Sequence, residues 1–120
     1  MSRTYTDYLQ DMLDNCDYAT EFVQGTTLEQ FQANREKSYA VVYAIEIIGE
    51  AARHIPKNVR DKYPAIAWGK VKGMRNHIAH GYFGIDLEIV WKTIAQDIPP
   101  LRRELARMLE ESKKPSEPKG

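Results

Sequence analysis

Cysteine is almost missing from this 120-residue chain: Cys16 stands alone, so no internal disulfide can form and a reducing, cytoplasmic setting is expected. Long apolar runs are missing too. The longest mostly apolar stretch, Tyr39 to Gly49, is too short to span a bilayer and carries Glu46 within it. No basic stretch leading into an apolar core and small residues opens the chain, so neither a secretion signal nor a membrane partner is expected. Period-2 alternation of useful length and internal repeats are both absent, which argues against a sheet or a solenoid. Net charge is absent as well, with 17 basic and 17 acidic side chains. What remains, 42% apolar and 28% charged residues, is the composition of an ordinary globular protein and excludes a disordered chain. The length suits one domain that buries roughly two-thirds of its unfolded surface.

The zero net charge conceals an asymmetry. Residues 1–50 hold 3 Lys/Arg against 9 Asp/Glu, whereas residues 53–82 hold 7 Lys/Arg against Asp61 alone. His54, His77 and His80 all fall in the basic segment. Such patterning points to an anionic partner for the middle of the chain. The plainer reading is that acidic and basic faces pair with each other or with a second copy.

Helical periodicity dominates. Tyr5, Tyr8, Leu9, Met12, Cys16, Ala19 and Val23 recur at three- and four-residue steps, predicting a helix over about 4–24 that stops at Gly25. Thr27 and Gln30 form a capping-box pattern for a short helix through Phe31. Asn34 caps the next helix, which runs to about His54 and should be the most buried element, with Pro56 ending it. A short helix near 57–63, a continuous helix over 68–80 with Gly81 as exit, and a final stretch capped by Asp86 and restarted at Pro99–Pro100 complete the pattern. The expected class is all-α, an antiparallel bundle of four or five helices over residues 1–111, with 112–120 a disordered tail.

Chemistry concentrates in Met74-Arg75-Asn76-His77-Ile78-Ala79-His80-Gly81-Tyr82-Phe83-Gly84. Arginine offers a permanent planar fork that matches phosphate oxygens. Histidine moves protons near neutrality. Together they suit phosphodiester cleavage on RNA, in which the 2′-hydroxyl attacks the adjacent phosphate, a base takes its proton, an acid protonates the leaving 5′-oxygen and a cation stabilises the extra charge. On a continuous helix Arg75 and His80 lie about 140° apart. They converge if the helix loosens, if the arginine sweeps back, or if a two-fold dimer lines both copies along one groove; the last also supplies the second proton-transfer group.

Arg75-x4-His80-x-Tyr82 resembles the signature of HepT-like toxins of the HEPN superfamily. Glu46-Ile47-Ile48-Gly49-Glu50-Ala51-Ala52 is similar to that family's helix core, Tyr63-Pro64-Ala65-Ile66-Ala67-Trp68 to its entry into the motif helix, and Gly81-Tyr82-Phe83-Gly84-Ile85-Asp86 to its exit loop. The resemblance covers about residues 27–100. It implies a metal-independent endoribonuclease with no cofactor, the toxin of a HepT/MntA toxin–antitoxin pair, with Arg75 and His80 as catalytic pair, Asn76 at the polar position beside the arginine, and the site in a homodimer cleft. It further implies that the antitoxin, a minimal nucleotidyltransferase, transfers AMP onto Tyr82; the added charge and bulk would pair with Arg75 and repel RNA.

Other residues admit more than one role. His77 and His80 have a helical spacing that two metal ligands can use, but no local acidic or cysteine cluster completes such a site, so His77 packs at a dimer seam or meets substrate. Glu46, expensive as a lone buried carboxylate, pairs with Arg75 or Arg53 in the core or positions Arg75 for catalysis, a task Glu50 could share. His54 reads as a helix-end residue. Tyr5, Tyr8 and Tyr18 read as core and dimer packing. Lys57, Arg60, Lys62, Lys70 and Lys72 are expected RNA-backbone contacts. Two other functions fit the same residues: a non-catalytic nucleotide-binding or nucleotidyltransferase-partner module, and a dimeric helical interaction protein.

Overall fold

The computed structural model describes residues 3–113 apart from 81–83, with only the backbone of His80. Helix α1 spans Tyr5–Val23, and the Asp7 carboxylate accepts from the Thr4 N–H at its start. Gly25 adopts φ +73°, the left-handed turn that a side chain would resist. Thr27 and Gln30 close the expected capping box on α2 (Leu28–Ala33). The Asn34 side chain accepts from the Lys37 N–H at 3.0 Å to start α3 (Arg35–Ala52). Short helices α4 (Lys57–Arg60), α5 (Trp68–Lys72) and α6 (Met74–Ile78) follow. Asp86 then caps α7 (Leu87–Gln96), and α8 (Ile98–Lys113) ends the described chain.

Stacking of Tyr8 on His54 joins the start of α1 to the residues just past α3, while Lys37 Nζ donates to the Phe22 carbonyl at the other end. The two helices are therefore antiparallel. Helix α8 lies antiparallel on α1 too: Arg102 pairs with Asp17 near one end, and Tyr5 and Leu9 share a groove with Met108 at the other. Leu9, Met12, Cys16, Ile45, Ile48, Leu105 and Met108 fill the space between these helices. That burial is the main stabilising term, each such side chain contributing about 1.5–3 kcal/mol.

Several expectations change. The helix expected over 68–80 breaks at Gly73, which sits at φ −90°, ψ 6°, outside helical values. It then ends at Ile78, because Ala79–His80 (β1) pairs antiparallel with Gly84–Ile85 (β2), Ala79 opposite Ile85 and His80 opposite Gly84. The Ile78 carbonyl accepts from the Asp86 N–H at 2.8 Å, closing the excursion. His77 and His80 thus do not share a helix face. Helix α3 is not buried on nearly all sides: it hides Val41, Ala44, Ile45, Ile48, Gly49, Ala51 and Ala52 but leaves Tyr39 and Tyr43 exposed. The helical end extends past 111, since the Ser112 hydroxyl donates to Leu109 O and Lys113 pairs with Glu110; the rest of the expected tail, 114–120, lies outside the described residues. Tyr5 and Tyr8 pack on the core as expected, whereas Tyr18 is exposed. No described helix is long and apolar enough to cross a membrane.

The placing of the basic segment depends on Gly49. A Cβ there would lie 3.3 Å from the Val71 carbonyl and 3.4 Å from that of Lys72, so α3 and α5 approach almost to backbone contact. Ala at this position gains up to ~1 kcal/mol of helix propensity against that crowding. A branched side chain has no such room: Gly49→Val should lower stability by about 1–3 kcal/mol in denaturant titration.

Burial raises the Cys16 thiol from 9.0 to about 12, with Asp17 adding to the effect and Arg102 opposing it. Because the folded value lies above the unfolded one, this contribution to stability is complete below pH 9 and falls as pH climbs from 9 towards 12. At pH 8 the native thiol should react with a disulfide reagent at least ~100-fold more slowly than in the guanidinium-unfolded chain, as thiol titration would show.

Candidate functional site

Helix α6 is five residues long, too short to be stable alone, and is held by its buried ends Met74 and Ile78. Pinning those two positions turns Arg75, Asn76 and His77 outward, and all three are exposed. Arg75 reaches α3, where its Nε donates to Glu46 Oε1 at 2.7 Å. The register follows from Gly49: three residues back along α3 from the close approach is Glu46, and three residues on from Lys72 is Arg75.

The pair is not a core ion pair. Arg75 is 61% and Glu46 38% exposed, so water solvates both and the carboxylate escapes the burial cost expected for the middle of α3. Of the two partners considered for Glu46, Arg75 is the one it takes. Glu50 instead approaches Arg53 and His54 loosely, at 3.9 and 3.7 Å. The hydrogen bond to Glu46 uses only Nε, and among the described residues the two terminal amino groups of Arg75 make none. One edge of the guanidinium is anchored while the fork stays open for an oxyanion.

The other expected site residues are placed less completely. Asn76 and His77 make no side-chain hydrogen bond among the described residues, and each is exposed beside Arg75 on the same short helix. The backbone of His80 lies in β1 rather than on a helix continuous with Arg75. Tyr82 lies outside the described residues. Lys70 is turned to a groove between α5 and the start of α8, where it pairs with Asp97 at 3.3 Å, and Lys72 is half-buried. Among the described residues no three His, Cys, Asp or Glu side chains are grouped to hold a metal ion.

A feature not anticipated adjoins Glu46. Tyr39, Val42, Tyr43, Ile85 and Leu87 line a groove of about 550 Å³ that ends at the carboxylate. Tyr39 and Tyr43 are 70% and 65% exposed. The sequence signal was available: two tyrosines four apart, followed by acids three and seven residues on, mark a helix face whose polarity is not that of a core.

The family described as Ribonuclease HepT-like matches residues 12–108. The chain is 35% identical over 108 residues to the probable ribonuclease HepT of Thermococcus cleftensis, covering 90% of this chain and 98% of that one. It is 35% identical over 111 residues to protein TTE0752 of Caldanaerobacter subterraneus subsp. tengcongensis, named as a candidate RNase, covering 92% and 99%. It is 38% identical over 104 residues to a Methanocaldococcus jannaschii protein, MJ1216, named in the same way, covering 87% and 86%. No solved structure matches the chain. Family match and near full-length similarity agree with the resemblance carried by the arginine–histidine motif: the chain belongs to the HepT-like ribonuclease family.

Proposed function

We propose that the protein is an endoribonuclease that cleaves RNA by metal-independent transesterification, with Arg75 and His80 in a cleft shared by two copies. The observation that carries this reading is the guanidinium of Arg75, exposed and anchored through Nε on Glu46, with no other partner on its fork among the described residues. A phosphodiester seated on that fork places its non-bridging oxygens on two N–H donors. The 2′-oxygen attacks phosphorus as a base takes its proton; the P–O5′ bond then breaks as an acid protonates the departing oxygen. Arg75 meets the charge that accumulates between those events. His80 serves as one proton-transfer group and His80 of the second copy as the other, yielding a 2′,3′-cyclic phosphate and a 5′-hydroxyl. Asn76 and His77, exposed beside the arginine, line the cleft, and the basic side chains of α4 and α5, Lys70 and Lys72 among them, meet the RNA backbone.

Glu46 is a positioning residue in this scheme. A half-exposed pair contributes under ~1 kcal/mol to stability, so its loss leaves the protein folded while the guanidinium is freed to wander.

The biological setting we propose is a toxin–antitoxin pair. A minimal nucleotidyltransferase antitoxin silences the ribonuclease by transferring AMP from a nucleoside triphosphate to the Tyr82 oxygen, releasing pyrophosphate. Tyr82 follows His80 by two residues, so a phosphodiester attached there brings an anion to the reach of Arg75 and excludes the RNA phosphate by charge and bulk.

Incubation with cellular RNA in excess chelator should give cleavage with 2′,3′-cyclic phosphate ends. Arg75→Ala and His80→Ala should each reduce kcat at least ~100-fold, and Glu46→Gln should reduce it about 10-fold with a smaller change in KM. Intact RNA together with measurable nucleotide binding would instead mark a non-catalytic module. Tyr82→Phe should keep cleaving RNA in the presence of the antitoxin and a nucleoside triphosphate, whereas the unchanged protein should stop.

A further inference from the structure

The groove beside Glu46 divides its chemistry along its length. Val42, Ile85 and Leu87 give it an apolar wall, Tyr39 and Tyr43 stand exposed along it, and the Glu46 carboxylate closes one end. Among the described residues that line it there is no cation, so backbone phosphates find no partner inside it. The cation stands just beyond that end, where Arg75 Nε donates to Glu46 Oε1. A space of about 550 Å³, apolar and aromatic with one charged group, has the make-up of a small-molecule pocket.

The tyrosines select the kind of ligand. They are four residues apart on α3, ~6 Å along the axis and ~40° around it, so they flank a single turn of helix. Exposed aromatic rings beside a cation hold single-stranded nucleic acid, with bases stacked on the rings and phosphates on the cation. Tyr43 lies ~4.5 Å and Tyr39 ~10.5 Å along α3 from Glu46. A base on these rings and a phosphate on Arg75 are therefore within the span of one nucleotide.

Glu46 selects the base. Its Oε1 accepts from Arg75, and among the described residues its Oε2 makes no hydrogen bond. An ionised carboxylate only accepts, and each oxygen has two lone pairs, so the edge that faces it must donate. Guanine presents two adjacent donors, N1–H and the N2 amino group, which meet the two oxygens side by side. Adenine and cytosine present one amino group next to a ring-nitrogen acceptor, which the carboxylate repels. Uracil presents a single N–H between two carbonyls and is the poorest match.

We propose that this groove is the subsite for a guanine base on the 5′ side of the cleaved phosphodiester. The proposal rests on the transesterification reading above and deepens it by naming the nucleotide after which the protein cuts. The base stacks on Tyr39 and Tyr43, its Watson–Crick edge donates to Glu46, and its own 3′-phosphate lies on the fork of Arg75. The attacking 2′-oxygen belongs to the same nucleotide, so holding base and phosphate together leaves the ribose between them little freedom. Glu46 acts in both directions, aiming the guanidinium and reading the base.

Guanosine 3′-monophosphate carries base and phosphate in that relation, and its binding to the full chain, read by calorimetry, requires no turnover. It should bind at least ~10-fold more tightly than uridine 3′-monophosphate. Tyr39→Ala and Tyr43→Ala should each weaken it about 10-fold, whereas Tyr39→Phe and Tyr43→Phe should bind nearly as the original, because the ring carries the stacking. Glu46→Gln should bring the two nucleotides to within about threefold of each other, since an amide puts a donor where guanine needs an acceptor. On unstructured RNA of mixed sequence, products should end in guanosine 2′,3′-cyclic phosphate at least ~10-fold more often than in the uridine equivalent. Both tyrosines are exposed, so their loss leaves the fold intact, and circular dichroism checks it.

Equal binding of the two nucleotides, or alanine variants that bind and cleave like the original, would overturn the subsite. So would alanine variants that separate into single chains in sedimentation yet bind guanosine 3′-monophosphate unchanged, which would make the tyrosines a contact between copies. The reaction is judged apart from this. Tyrosine-dependent guanosine binding by a protein that cuts no RNA removes the reaction and keeps the guanine site; cleavage in chelator without regard to base does the reverse.

Discussion

The near-contact of Gly49 with the carbonyls of Val71 and Lys72 is the constraint on which the rest of the site depends. It brings α3 and α5 so close that a Cβ at position 49 would crowd both carbonyls, and it sets which residues on either side of the contact can meet. Glu46 and Arg75 are three positions away on either side, and their hydrogen bond follows from that spacing. The contact also explains why so short an element as α6 holds a defined place. Met74 and Ile78 are buried where α6 packs on α3 and α7. An arginine on a five-residue helix would otherwise sample many directions; here the core and one carboxylate select one.

Much of this was legible in the sequence where local chemistry decides structure. Thr27, Gln30, Asn34 and Asp86 all cap the helices their side chains announce, because a short polar side chain at a helix start satisfies an otherwise orphaned N–H. Gly25 turns left-handed where the pattern ends. The break at Gly73 and the two-residue ladder after Ile78 were not legible. Periodicity carries through both, whereas the pairing of β1 with β2 and the bond from Asp86 to Ile78 favour an extended path after Ile78. The exposure of Tyr39 and Tyr43 was missed for a similar reason: composition marks them as apolar, whereas among the described residues their face of α3 is covered too little to bury them. The motif itself was recognisable as a pattern, and the Glu46–Arg75 pair was one of two pairings that reading had left open.

The charge asymmetry resolves in two ways. Part of it is neutralised locally, as Lys57 pairs with Asp61 and Lys70 with Asp97. Another part bridges elements: Asp17 of α1 holds Arg102 of α8, and Glu46 of α3 holds Arg75 of α6. The acidic first half therefore serves partly as a set of anchors for cations that arrive later in the chain. Exposed pairs of this kind add little to stability. Their effect is directional, since each carboxylate fixes where a guanidinium or ammonium group spends its time.

The helix break at Gly73 has a mechanical meaning. A rod continuous from Trp68 to His80 would have transmitted any shift at its entry straight to its end, and its side chains would have rotated together. With the rod broken at one glycine, α6 is a spur whose aim is set by what lies beneath Met74 and Ile78 as well as by where α5 ends. The bearing of Arg75 is then a property of the hydrophobic core, readable in side chains that never touch solvent, and the chemistry of the surface is calibrated from within.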